Sequence, residues 1–240
     1  MTITYLLDDT SISPRVQSVL AQADALIGRG HDVRIVTTAD TAVTWRSSRV
    51  RWDFVDDFGS VADDIVLDAS FPWQDFLIVD DEMYRSRTPR EHQPLRVLLD
   101  GASQNDDRIG DGYGAVAHAR WFHQTLELVR VSPWVPSREE PLDTVQEFHI
   151  GLNMAERTRL MHSCDVLVAP RLDLRSAEAM AAGILVANVP EQNAVELGER
   201  LIEIVSDEEL RERMRERGRE VAEQWRAACV AERLETFFQR

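Results

Sequence analysis

Residues Asp165 to Val189 read DVLVAPRLDLRSAEAMAAGILVANV, and this stretch decides the fold. Its opening DVLVA is an apolar run of strand length, the spacing that follows predicts a helix from Arg175 to Ala182, and Ile184 to Val189 reads as a second strand. Immediately upstream, Asn153-x-x-Glu156 is a capping-box pattern that opens a helix to about Ser163. Downstream, Asn193-x-x-Glu196 and Ser206-x-x-Glu209 are two further capping signals. The tail from Asp207 to Phe238 reads as charged helix with apolar positions at Met214, Val221, Trp225 and Leu234.

The same alternation extends towards the amino terminus. Leu95 to Leu99 is expected as a strand, Gly110 to Gln124 as a helix and Leu126 to Val131 as a strand; the Pro-rich loop Ser132 to Pro141 and the run Val145 to Ile150 follow. Before them, Tyr84 to Pro94 (YRSRTPREHQP) breaks periodicity and reads as a domain linker. The first half opens with strand Thr2 to Leu7, helix Pro14 to Ile27 (apolar at Val16, Val19, Leu20, Ala23 and Ile27) and strand Asp32 to Thr37. Short apolar runs at Val50 to Val55, Ile65 to Leu67 and Phe76 to Val79 extend its sheet, giving a small doubly wound domain. The expected class is therefore α/β: two Rossmann-like parallel-sheet halves, residues 1–91 and 92–240, with closing helices in the second.

Composition removes several functions. All 27 basic residues are arginine, and without lysine a P-loop, a pyridoxal Schiff base and a kinase phosphate site cannot be assembled. The same absence removes the phospho-receiver reading of the Asp8-Asp9 and Asp80-Asp81 pairs. A net charge of -15 opposes non-specific binding to nucleic acid or anionic membrane. No apolar run approaches the roughly 20 residues of a membrane span. MTITYLLDD carries no leader pattern, which places the chain in the cytoplasm. Cys164 and Cys229 fall in helical segments and are expected as buried thiols; neither has metal-type spacing, and no cofactor is expected.

The segments MAERTRLMHSCDVLVAP and AEAMAAGILVANV are similar to the carboxy-terminal domain of group 1, GT-B-fold glycosyltransferases. SISPRVQSVLAQADALIGRGHDVRIVT resembles that family's first β-α-β unit, and Asn193 to Phe238 resembles its closing helices. The resemblance implies a compact GT-B-like transferase that uses a nucleotide diphosphate sugar and retains anomeric configuration, generally without a bound metal. In the family an E-x7-E motif places one acid near the sugar and one on the ribose, while an arginine and a lysine neutralise the diphosphate leaving group.

Carried over residue by residue, Glu178 matches the second acid, in the first turn of its helix. The position of the first acid is Pro170, and Asp173 is the nearby carboxylate that stands in for it. Where the family places its lysine the chain reads GASQNDDRI, so Arg108 is the substitute cation, with Asp106 and Asp107 opposing it. Gly110 to Gly114, GDGYG, offers backbone N–H groups at a helix start. Pro14 and Arg15 replace the family's glycine pair, which makes Arg15 the first-loop contact. His149 stands at a strand end and is a second catalytic candidate beside Asp173; His118, His123 and His162 read as packing or surface residues. Trp121 and Trp134 have the surface to stack on a sugar.

The leading expectation is therefore a glycosyltransferase or a shortened derivative of one. Its rivals are a non-catalytic binding or assembly module, natural or deliberately cut down, and a sugar-nucleotide epimerase. Loss of covering segments should leave apolar surface, from which a homodimer is expected.

Overall fold

The computed structural model describes residues 1–11, 13–44, 46–85, 94–100, 107–132, 145–169, 174–188 and 193–239; the side chains of 14, 74, 107–110 and 154 are outside that description. The chain runs β1 (Thr2–Leu7), α1 (Pro14–Gly28), β2 (Asp32–Thr37), β3 (Arg51–Phe54), β4 (Ile65–Leu67) and β5 (Arg96–Asp100). It continues as α2 (Asp107–Phe122), β6 (Glu127–Ser132), β7 (Glu147–Ile150), α3 (Met154–His162), β8 (Val166–Val168), α4 (Leu174–Ala181) and β9 (Leu185–Ala187). The helices α5 (Ala194–Ser206), α6 (Glu208–Ala222) and α7 (Ala227–Phe238) close it. Two compact units result, Met1–Asp80 with Gln224–Arg240, and Asp81–Glu223. The tail expected to belong wholly to the second half thus divides, and α7 groups with the first unit.

In the first unit the parallel strands lie in the order β3, β2, β1, β4. Ser13 caps α1 by accepting from Val16 N–H at 3.2 Å, and Pro14, whose missing N–H costs nothing there, opens the helix. Val16, Val19, Leu20 and Ala23 are buried against Ile3, Tyr5, Leu7 and Ile35, together with Val230 and Leu234 of α7. Each fully buried aliphatic side chain contributes about 1.5–3 kcal/mol. The buried Tyr5 hydroxyl donates to Gln22 Oε1 at 3.2 Å, and Gln22 Nε2 donates to the Phe76 carbonyl at 2.9 Å.

Phe76 to Val79 is not the expected strand. A 3-10 turn spans Trp73–Phe76, and the buried residues beyond it find partners elsewhere: Val79 N–H donates to the Trp225 carbonyl at 3.1 Å. A short apolar run signals burial, not pairing, and here Gln22 and Trp225 take the backbone groups that a neighbouring strand would have taken. The doubly wound expectation also changes for this unit, because among the described residues no helix joins β2 to β3 or β3 to β4. The sheet face opposite α1 instead carries an ion network. Arg34 on β2 donates to Asp53 at 2.7 Å and to Thr4 Oγ1 and Asp63 at 3.0 and 2.8 Å. Bonds from Arg34 hold the Asp53 carboxyl below the usual range; for Asp63 the Thr4 hydroxyl is the first cause and Arg34 the second.

The second unit has the parallel order β7, β6, β5, β8, β9, so the chain leaves β5 towards one edge and returns beside it at β8. Val116 and Ala119 of α2 and Leu197, Leu201 and Ile204 of α5 bury one face of β5, β6 and β8. Asn153 caps α3 in a complete capping box with Glu156, and Asn193 caps α5. At the next junction the cap is Asp207, which accepts from Leu210 N–H at 2.8 Å; Ser206, the expected cap, is the last residue of α5. The tail then breaks at a 3-10 turn, Glu223–Trp225. Cys164 is buried as expected, whereas Cys229 is exposed on α7.

Candidate functional site

Ligands of open parallel sheets gather beyond the carboxyl ends of the strands where the strand order reverses. In the second unit that point lies between β5 and β8. The helix that follows β8 is α4, with Ala177, Ala179 and Ala181 buried, small enough to bring its backbone close to the core. Its end is fixed by backbone bonds of the Schellman type, Gly183 N–H to Met180 at 3.0 Å and Ile184 N–H to Ala179 at 2.8 Å. Gly183 has φ 72, a conformation that a side chain opposes. The glycine of EAMAAG therefore has a mechanical task, stopping α4 so that β9 can begin.

Glu178 lies in the second turn of α4, not the first, because the helix starts at Leu174. Its Oε2 accepts from Arg175 Nη1 at 2.7 Å, and the two side chains are 7% and 14% exposed. A carboxylate this enclosed needs its charge answered locally, and Arg175 does so. Asp173, Asp106 and Trp134 lie outside the described residues. The backbone of Arg108 is in the first turn of α2, with its side chain outside the description.

His149 sits on β7 in register with Val131, itself in register with Asp100, so these three mark the same level near the carboxyl end of the sheet. Its Nε2 is 3.3 Å from Glu147 Oε1, in ion-pair range but without hydrogen-bond geometry. Glu147 also meets Arg96, whose Nε is 3.5 Å from Glu127. His149 thus belongs to a charged chain along one sheet face. Among the described residues its Nε2 has no hydrogen-bond partner of the kind a general base is expected to have.

Arg15 belongs to the first unit, at the start of α1 beside the carboxyl end of β1. It lies 3.4 Å from Asp8 Oδ1 and donates to the Leu6 carbonyl at 3.4 Å. It also lies close enough to Asp9 and Asp68 to help hold both carboxyls below the usual range, after the dominant bonds from Ser11 and Ser70. This end of the first sheet is consequently an acidic surface around one arginine.

Gly110 to Gly114 does not stand at the start of its helix, since α2 already includes Asp107 and these residues lie within it. Two of its glycines serve packing: a Cβ on Gly112 would come within 2.8 Å of Leu99 and one on Gly114 within 2.8 Å of Ala194. His118 packs on Gly198 and the Phe122 ring, and His123 bonds Ser206 at 2.9 Å, both packing roles. Trp121 is 85% exposed at the end of α2. Sequence reasoning missed Asp100 and Arg157, which pair at the end of β5; the available signal was a carboxylate closing the otherwise apolar RVLLD. Among the described residues no group of histidine, cysteine and carboxylate side chains could hold a metal ion, and no helix is long and apolar enough to cross a membrane.

Two parallel Rossmann-type sheets in one chain, with this helix at the second switch point, define the GT-B fold of glycosyltransferases. Three solved structures carry the likeness across nearly all of the chain. A glycosyltransferase from Rickettsia africae superimposes with TM-score 0.72 at 11% identity, covering 99% of this chain and 97% of its own. WaaG, a glycosyltransferase involved in lipopolysaccharide biosynthesis, gives 0.71 at 13% identity, over 98% and 99%. A mutant of T4 phage BGT in complex with UDP-glucose gives 0.58 at 10% identity, over 100% and 99%. No protein-family model and no curated protein matches the sequence.

Proposed function

We propose that the protein is a glycosyltransferase that takes a nucleotide diphosphate sugar at the carboxyl end of its second sheet. The observation that carries this reading is Glu178, enclosed beside Arg175 on a helix fixed at its end by Gly183, directly after the strand at which the sheet order reverses. A carboxylate there can accept from both ribose hydroxyls without reorganising, since Arg175 already holds it. UDP-glucose in the T4 phage BGT structure supports a donor of this chemical class. Asp173 and His149 are assigned to the sugar, Arg108 to the diphosphate and Arg15 to first-loop contacts. Departure of the diphosphate concentrates negative charge, and arginine is the only side chain here permanently able to meet it. The reading includes a homodimer, which light scattering tests; a monomer at high protein concentration removes it.

A second reading, a binding module that kept the fold without the chemistry, is favoured by Pro170 in the place of the first acid and by the carboxylates around Arg15. Calorimetry and thermal shift with UDP, GDP and dTDP sugars test the donor site common to both. A product assay then separates them: transfer to an acceptor supports the enzyme, conversion of the donor without acceptor indicates an epimerase, and binding without turnover indicates the module.

A further inference from the structure

Trp121 and Phe122, side by side in the last turn of α2, are 85% and 65% exposed, more than any other large apolar side chain among the described residues. Single exposed apolar residues are ordinary, but two adjacent aromatics this open to water mark an interaction surface. Their place in the sequence is also unusual: Gly112 to Leu126 is the longest run without an acidic residue in a chain that has 42 of them. Gly114, Ala117 and Trp121 stand at i, i+3 and i+7, so they share one face of α2, with Trp121 about 10 Å along the axis from Gly114. Ala117 is exposed. Gly114 lies against α5, where a Cβ on it would come within 2.8 Å of Ala194, and the neighbouring Val195 is exposed. One face of α2 thus carries a protruding aromatic pair and, one to two turns back, a low apolar seat.

The occupant that fits this face is a second copy of the chain. A two-fold contact sets a surface against itself, so in a chain of net charge -15 most surfaces would meet their own repulsion. Helix α5 runs parallel to α2, touching it at Ala194, Gly198 and Ser206, and carries Glu196, Glu199 and Glu203 at exposed positions. The acid-free face of α2 escapes that repulsion, and the cores of specific interfaces are enriched in aromatics and depleted of Asp and Glu. Shape agrees with charge: two copies of α2 crossing antiparallel, with the axis near Ala117, bring each Trp121 onto the seat of the other. We propose that α2 forms the homodimer surface, Trp121 of each copy lying on Gly114, Ala117 and Val195 of its mate; this rests on the homodimer in the reading above. Because α2 runs back from the carboxyl end of β5 to the start of β6, its last turn lies at the opposite end of the sheet from the donor site, which the contact leaves open. An enclosed aromatic side chain removes roughly 150–250 Å² from water, so the four at the contact supply much of the about 1,000 Å² that a specific interface needs. An interface near that lower bound is expected to dissociate in the micromolar range.

Sedimentation velocity over a micromolar concentration series tests this with the wild type, Trp121→Glu, Ala117→Glu and, as a control that adds the same charge, Phe54→Glu at an exposed position of the first unit. All three positions are exposed, so the fold tolerates the changes, and circular dichroism checks that it does. Wild type and Phe54→Glu are expected to dimerise alike, whereas Trp121→Glu and Ala117→Glu raise the dimer dissociation constant at least about tenfold. A folded Trp121→Glu that dimerises as tightly as wild type, or an equal weakening by Phe54→Glu, overturns the assignment of this surface. A wild type that stays monomeric at every concentration contradicts the homodimer itself, a result distinguishable from a wild-type dimer that survives the substitutions. A monomeric wild type that floats with phosphatidylcholine vesicles, and loses this with Trp121→Glu, would make a membrane surface the occupant and likewise overturn the proposal.

Discussion

Arg175 Nη1 stands 2.7 Å from Glu178 Oε2 one turn along α4, and both side chains are largely enclosed. The pair keeps a buried charge compensated, and in the proposed reading it also holds a carboxylate for the donor. Substitutions can separate them. Glu178→Ala strands Arg175 and is expected to cost about 2 kcal/mol, on the order of 5 °C in Tm. The double variant Arg175→Leu, Glu178→Leu removes both charges and should recover most of that stability. Neither variant should bind the donor, by calorimetry, within about tenfold of wild type. A double variant that regained both stability and binding would show that Glu178 serves packing alone.

Gly183 is the second point at which the site helix is mechanically defined. Its φ of 72 penalises any side chain, while the atoms that a Cβ would meet belong to the flexible end of Arg219. Gly183→Ala should therefore cost about 1–2 kcal/mol through the backbone, with sterics secondary. Urea unfolding checks this, and a stability equal to wild type would mean that the turn relaxes to negative φ.

In the first unit Glu235 clamps α7, accepting from Arg29 Nε and Nη2 at 2.7 and 2.6 Å and lying 2.8 Å from His31 Nε2. The bonds from Arg29, then the contact with His31, lower its carboxyl from 4.5 to about 2. A folded value below the unfolded one stabilises the protein above about pH 4.5, and that stabilisation is lost as pH falls towards 2. Glu235→Gln should cost about 1 kcal/mol at pH 7, the pair being partly solvent-screened, and progressively less as the pH is lowered. Denaturant titrations at several pH values measure the difference; a penalty independent of pH would remove the clamp.

Much of the architecture was legible because local rules agreed with the fold. The strand Thr2–Leu7, the Pro14 helix start, the Asn153 capping box and the β8, α4, β9 unit stand where periodicity and capping chemistry put them. The errors fell where long-range partners decided. Phe76 to Val79 is buried but satisfied by Gln22 and Trp225, and no pattern in the segment itself encodes those partners. GDGYG was read as the start of its helix, whereas it lies inside α2, where close packing against Leu99 and Ala194 makes two of those glycines the residues that α2 requires. The site was less legible than the fold. Glu178 was singled out through its sequence context, but its Arg175 partner and the Asp100 and Arg157 pair depend on side-chain geometry and on contacts 57 residues apart.

The central claim is that the second unit keeps a working donor site. Calorimetric titration of the intact chain with UDP, GDP and dTDP sugars tests it most directly. At least one should bind saturably with one-to-one stoichiometry, and Glu178→Ala should weaken it. Absence of binding to every member by a folded protein would contradict the account.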